Sequence, residues 1–212
     1  MGLPYSYISI EGNIGAGKTS LATKLAEKHN AKLVLEEFAE NPFLEHFYKN
    51  PDRYAFPVEL SFLAERFSQL KDELSSRNLF QSVVVSDYFV SKSYIFAKAN
   101  LEPDEFDLFM QLFKLVETNL PKPDLLVYLY LPIEQLQKNI QKRGRTYEQE
   151  IKDSYLKSIE KSYFTFMRQH KKQRVVIIDT SDMDFVNNEA DFLRMEELLS
   201  APYKPGMHRV KA

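Results

Sequence analysis

Five short apolar runs punctuate the chain, at Tyr7–Glu11, Lys32–Glu37, Ser82–Asp87, Asp124–Leu131 and Arg174–Asp179. Val83-Val84-Val85 and Val175-Val176-Ile177-Ile178 are continuous β-branched stretches, a pattern that suits strands covered on both faces, as in a parallel sheet. Helical spacing fills the intervals. Thr19–His29 carries Leu21, Leu25 and Ala26; Tyr54–Leu79 carries Leu60, Leu63, Phe67, Leu70 and Leu74; Asp104–Leu120 carries Phe106, Phe109, Met110, Phe113 and Val116; Ile133–Lys142 and Lys152–His170 complete the series. Strands alternating with helices predict an α/β domain built on a five-stranded parallel sheet with helices on both faces. Pro121-Lys122-Pro123 reads as a stop between a helix and a strand, too short for a domain linker, so residues 1–212 are expected to form one domain. The tail Ser200–Ala212, polar and with two prolines, is expected to be irregular.

The junction after the first run carries the most chemistry. Gly12-Asn13-Ile14-Gly15-Ala16-Gly17-Lys18-Thr19 is a complete G-x-x-x-x-G-K-[ST] loop, with a strand pattern before it and a helical pattern beginning at Ser20. The glycines allow backbone N–H groups to wrap a triphosphate, and the helix N-terminus adds partial positive charge. Lys18 is expected on the β- and γ-phosphates of ATP, and the Thr19 hydroxyl on Mg²⁺.

Composition narrows the partners. A formal charge of −2 offers no broad basic surface for nucleic acid or an anionic membrane. The chain has no cysteine, which removes disulfides, thiolate metal sites and cysteine nucleophiles. The four histidines, His29, His46, His170 and His208, lack metal-ligand spacing. No run reaches the roughly 20 apolar residues of a membrane helix, and the N-terminus lacks a secretory pattern, so a cytoplasmic protein is expected.

A kinase also needs a carboxylate to take the acceptor's proton, cations over the migrating phosphoryl and a pocket for the acceptor. Ligands gather at the C-terminal edge of parallel strands. Glu11, Glu36, Glu37 and Asp87 end the first three strand patterns there.

At this point the chain resembles the deoxynucleoside kinase family, from about Tyr7 to Phe185. The resemblance rests on ordered blocks: the loop Gly12–Thr19, Glu36-Glu37-Phe38-Ala39-Glu40-Asn41-Pro42 with Phe47-Tyr48-Lys49-Asn50-Pro51, Phe56–Arg66, Asp87-Tyr88-Phe89 with Tyr94-Ile95-Phe96, Lys142-Arg143-Gly144-Arg145-Thr146-Tyr147-Glu148, and Asp179–Phe185. It implies a P-loop kinase fold with an arginine-bearing lid and a homodimer through long helices. It implies Glu36 as general base toward a sugar 5′-hydroxyl, and Tyr48 with Glu148 on the 3′-hydroxyl. Arg143 and Arg145 correspond to the lid, Phe96 to the aromatic that stacks on the base, Asp87 to the acidic group near Mg²⁺, and Asp184-Phe185 to the segment that holds the adenine of ATP.

Two positions depart from the family pattern. Tyr88 stands where an arginine is usual, so the cation there must come from elsewhere, from Lys92 nearby or from the lid. Glu59 stands where glutamine contacts the base edge, followed by Arg66, and Ser93 replaces an aspartate that often pairs with that arginine. An ionised carboxylate only accepts hydrogen bonds. It matches the N1–H and 2-amino group of guanine or the amino group of adenine, and matches thymine least. The expected substrate is a purine deoxynucleoside, with deoxyadenosine first on overall resemblance, deoxyguanosine close behind and deoxycytidine possible. The rivals are a nucleoside monophosphate kinase and a nucleotide-binding switch without transfer activity.

Overall fold

The computed structural model describes residues 2–37, 41–75 and 83–211. Its sheet has six parallel strands, β1 (Tyr7–Gly12), β2 (Lys32–Val34), β3 (Val84–Ser86), β4 (Leu125–Tyr130), β5 (Arg174–Asp179) and β6 (Gly206–Lys211), in the order β2-β3-β1-β4-β5-β6. The α/β reading with a parallel sheet holds, but the count of five is corrected to six. The tail is not irregular throughout: Gly206–Lys211 pairs in register with the whole of β5, so a short segment with apolar Met207 and Val210 finds a ready-made edge. The second and third patterns were drawn too long. Leu35–Glu37 leave the sheet after Val34, and Ser82 and Phe38–Glu40 lie outside the described residues.

Alternation along the central strands shows how the sheet is covered. Leu125, Val127 and Leu129 join one buried cluster with Leu21, Leu25, Phe192 and Met195. Leu126 and Tyr128 face the other way, among Ile95, Ile159, Tyr163 and Phe166. Successive strand residues point to opposite faces, so both faces are dry and need helices. One face takes α1 (Lys18–His29) and the later helix Glu189–Leu199; the other takes helices Lys92–Asn100 and Asp153–Gln169.

In chain order the helices are α1, α2 (Leu44–Lys49), α3 (Pro51–Ser75), α4 (Lys92–Asn100), α5 (Pro103–Glu117), α6 (Ile133–Arg143), α7 (Asp153–Gln169) and α8 (Glu189–Leu199), with a 3-10 turn at Thr146–Glu148. Both α3 and α5 open on proline, whose fixed φ and missing N–H suit a first helical turn. For that reason α3 starts three residues before the periodic apolar pattern at Tyr54; residues 76–79 of the expected helix lie outside the described residues. No helix among the described residues is long and apolar enough to cross a membrane.

The order of strands reverses beside β1, with β3 on one side and β4 on the other. Such a switch opens a crevice at the carboxyl ends of the strands. The loop between β1 and α1 lies at its floor.

Candidate active site

The phosphate loop is held in shape by contacts within the protein. Gly15 and Gly17 have φ of 84° and 85°, the left-handed region. A Cβ on Gly15 would lie 2.8 Å from the Leu136 carbonyl oxygen, and one on Gly17 would lie 3.0 Å from Phe185 Cζ. Asn13 Nδ2 donates to the Leu156 carbonyl at 2.8 Å, and Asn139 Nδ2 donates to that of Gly15 at 2.8 Å. Lys18 Nζ donates to the carbonyls of Gly12 (3.1 Å) and Asn13 (2.9 Å). Burial, with Lys92 nearby, brings the Lys18 pKa down to about 8.

A groove of about 830 Å³ runs from this loop between α6 and the segment Thr180–Asn187. Gly15, Ala16, Gly17, Lys18, Thr19 and Ser20 line it together with Asp184 and Phe185. Lys24, on α1, ties the far wall by donating to the carbonyls of Phe185 (3.0 Å) and Val186 (3.1 Å).

A second cleft meets the first at Lys18 and Thr19. It is lined by Ile14, Glu36, Tyr48, Glu59, Arg66, Asp87, Lys92, Phe96, Arg143, Arg145 and Glu148, so the residues expected on the base, the sugar and the migrating phosphoryl converge here, while Glu11, Glu37 and Ser93 do not line it. Leu44, Phe47, Val58, Phe62 and Tyr155, which the sequence did not single out, complete the wall. The free volume is about 100 Å³, below the ~300 Å³ at which small-ligand sites begin. Occupancy therefore requires rim side chains to separate. The rim is closed by Glu148, which accepts from Arg143 and, at 3.3 Å, from Arg145 Nη1, while the Tyr48 and Tyr147 rings stack at 5.9 Å.

Two of the four strand-end carboxylates stay in the cleft and two leave it. Glu11 is fully buried, accepting from Phe89 N (3.1 Å) and Tyr163 Oη (2.7 Å), and burial pushes its pKa up to about 7 against Lys92 and Lys18. Glu37 is exposed and accepts from Gln69 at 3.3 Å. Glu36 stands in the cleft. Its Oε2 accepts from Lys92 Nζ at 2.5 Å, and its Oε1 accepts from Arg66 Nε and Nη2, both at 2.7 Å. Burial alone would raise its pKa, but Lys92 and then Arg66 bring the carboxyl down to about 2. Asp87 joins the two sides: Oδ2 accepts from Thr19 Oγ1 at 2.5 Å and Oδ1 from Glu36 N at 2.8 Å.

Tyr88 turns away from the cleft. It is fully buried and its hydroxyl donates to Gln69 Oε1. Lys92, on the next turn, is 5% exposed and seated on Glu36. Arg66 also donates through Nη1 to Ser93 Oγ at 2.8 Å.

This arrangement can hold a triphosphate in one limb and, beside its terminal phosphate, present a carboxylate to a polar acceptor in the other. The deoxynucleoside kinase family profile matches residues 8–200. Deoxyguanosine kinase of Bacillus subtilis (strain 168) is 35% identical over 193 residues, covering 89% of this chain and 93% of its own. A deoxyadenosine kinase of Lactobacillus acidophilus is 31% identical over 196 residues, covering 85% and 88%. The fold superimposes on the structure of deoxyadenosine kinase from M. mycoides with bound dATP at a TM-score of 0.79, with 23% identity and coverage of 92% of this chain and all of the other. The chain thus belongs to the deoxynucleoside kinase family, phosphotransferases that take ATP as donor and a deoxynucleoside as acceptor.

Proposed function

We propose that the chain transfers the γ-phosphoryl group of ATP, with Mg²⁺, to the 5′-hydroxyl of a purine deoxynucleoside, and that Glu36 takes the hydroxyl proton. The observation that carries this reading is the position of Glu36: an ionised, cation-backed carboxylate one hydrogen bond from Asp87, which itself holds Thr19 at the head of the phosphate loop. Lys18, the loop amides and the N-terminus of α1 bind the donor. Lys92 takes the part of the arginine absent at Tyr88. In the structure it is committed to Glu36. Phosphate oxygens entering the cleft compete for its N–H groups, and sharing Lys92 lifts the Glu36 pKa from about 2 toward a value useful in a base. Arg143 and Arg145 leave Glu148 for the migrating phosphoryl, and this frees Glu148 to join Tyr48 at the sugar 3′-hydroxyl.

Thr19 and Asp87 fit Mg²⁺, a hard cation that takes oxygen ligands and commonly relies on one or two carboxylates plus substrate phosphates. When bound it would neutralise charge on the phosphates.

Phe96 faces the cleft beside Lys92, whose Nζ lies 5.9 Å from the ring centroid, and serves as the base platform. Relatives bear both deoxyguanosine and deoxyadenosine kinase names, so the order of the two purines rests on Glu59. A homodimer fits the apolar stripe of α5, where Leu108, Leu112 and Leu115 are 49%, 37% and 71% exposed. A cytoplasmic setting, with ATP and Mg²⁺ at hand, fits the same reading.

The test is an ATP-turnover panel of the four deoxynucleosides and their monophosphates, wild type beside Glu36→Gln. Purine deoxynucleosides should lead. The variant should lose about 10²- to 10⁴-fold in kcat while still binding ATP. Equal turnover by Glu36→Gln, or a preference for monophosphates, overturns the reading.

A further inference from the structure

Glu59 is 2% exposed on the inner face of α3. Its two oxygens are treated differently. Oε1 accepts from Asn100 Nδ2 at 2.6 Å, and the same amide nitrogen reaches the Tyr155 hydroxyl at 3.3 Å. Oε2 is buried in the acceptor cleft with no hydrogen-bond partner among the described residues. The cations nearby are engaged elsewhere: Arg66 on Glu36 and Ser93, Lys92 on Glu36. A buried carboxyl oxygen without a donor is costly, so it takes either a proton or a ligand.

We propose that Asn100 holds Glu59 with one oxygen engaged and the other presented to the base, and that the proton on this carboxyl decides which purine is accepted. The inference rests on the cleft being a purine deoxynucleoside site. With its proton, Glu59 is a donor beside an acceptor, the complement of adenine N1 and its 6-amino group. Without it, Glu59 only accepts, the complement of guanine N1–H and its 2-amino group. A mismatch leaves a buried polar group unpaired on one side or the other, and this is where large discrimination arises.

The surroundings put the change of state in the physiological range. Burial raises the Glu59 pKa to about 7; Arg66 on its own helix, Asn100 and Lys92 on α4 pull it down, while Glu36 beyond β2 pushes it up. Tyr155 faces it from α7, its own phenol pushed further up by burial and by Glu59, and so stays neutral.

The experiment offers deoxyadenosine and deoxyguanosine together to the wild-type enzyme between pH 6 and pH 8.5 and measures the ratio of the two monophosphates formed. That ratio reports relative kcat/KM. Glu11 and Lys18 also titrate near this range, but they sit on the phosphoryl side and affect both substrates alike, and neither base titrates here. A carboxyl with a pKa about 7 goes from roughly ten-to-one protonated at pH 6 to roughly one-to-ten at pH 8, so the deoxyadenosine-to-deoxyguanosine ratio should fall by tens of fold, up to about 100-fold, between those two values. Glu59→Gln, which keeps a donor beside an acceptor, should favour deoxyadenosine at every pH with a flat ratio. Asn100→Ala removes a donor that favours the ionised form, so it should move the inflection to higher pH, which a merely structural defect would not do. A flat wild-type ratio with both purines phosphorylated overturns the inference and leaves the kinase reading intact. A pH-dependent ratio in Glu59→Gln also overturns it. No turnover of either purine overturns the reading beneath it.

Discussion

Replacing Lys92 by methionine removes the cation nearest to Glu36 and keeps much of the side-chain volume. Bringing a glutamate from 4.5 to about 2 corresponds to about 3 kcal/mol of preference for the ionised form. Lys92 is the larger favourable contributor and Arg66 the second, so the substitution should forfeit about 2 kcal/mol at pH 7. That is below the ~3–5 kcal/mol typical of breaking a buried pair by removing one partner, because Arg66 still holds the carboxylate. For a chain of 212 residues it predicts a Tm lower by about 4–8 °C. The sign with pH is fixed: a depressed carboxyl pKa stabilises above 4.5 and loses that contribution as pH falls through about 2. The Tm gap between Lys92→Met and wild type should be full at pH 7 and narrow below pH 4.5. In turnover assays kcat should fall by about 10²- to 10³-fold with little change in the KM for ATP, since Lys18 and the loop amides remain. Lys92→Arg should restore much of both. A Tm within about 1 °C of wild type at pH 7, or a gap indifferent to pH, would refute the coupling of Lys92 to Glu36.

Gly15→Ala forces a Cβ onto the Leu136 carbonyl from a left-handed backbone, so it should cost about 2 kcal/mol and abolish the thermal shift given by ATP. Lys24→Ala removes two charge-assisted bonds to the Phe185 and Val186 carbonyls and should raise the KM for ATP by about 5- to 10-fold, with the KM for the acceptor unchanged in steady-state kinetics. Ending the chain after Ala201 strips β5 of its outer neighbour, together with the Tyr203 N–H bond to Tyr5 Oη (2.8 Å) and the Arg174 Nε bond to the Tyr203 carbonyl (3.1 Å). Thermal unfolding should then fall by about 5–10 °C.

The phosphate loop could be read from the sequence because its chemistry is local: eight consecutive residues fix backbone, charge and metal oxygen at once. Glu36, Tyr48, Phe96 and Glu148 are separated along the chain, and only ordered motif blocks put them in one cleft. The part played by Lys92 depends on distance, since the side chain of Tyr88 turns inward to Gln69 and leaves room for a cation four residues later. Asn100 carries no sequence signal at all, being one amide at the end of α4. The helix α8 did carry one, with Asn188 as an N-cap and Phe192, Met195 and Leu199 at helical spacing. In β6 only every other residue is partly covered, as on an outer strand, and the period is too faint to distinguish from a polar tail.

That outer strand leaves one flank of hydrogen-bonding groups open to any passing chain, the usual starting point of sheet-to-sheet stacking. Here the strand bears Arg209 and Lys211, with Lys204 just before it. Two copies approaching side by side would bring cations against cations. The opposite flank is β2, three residues long. One border is guarded by repulsion and the other by brevity, so the molecule can keep an open sheet without polymerising through it.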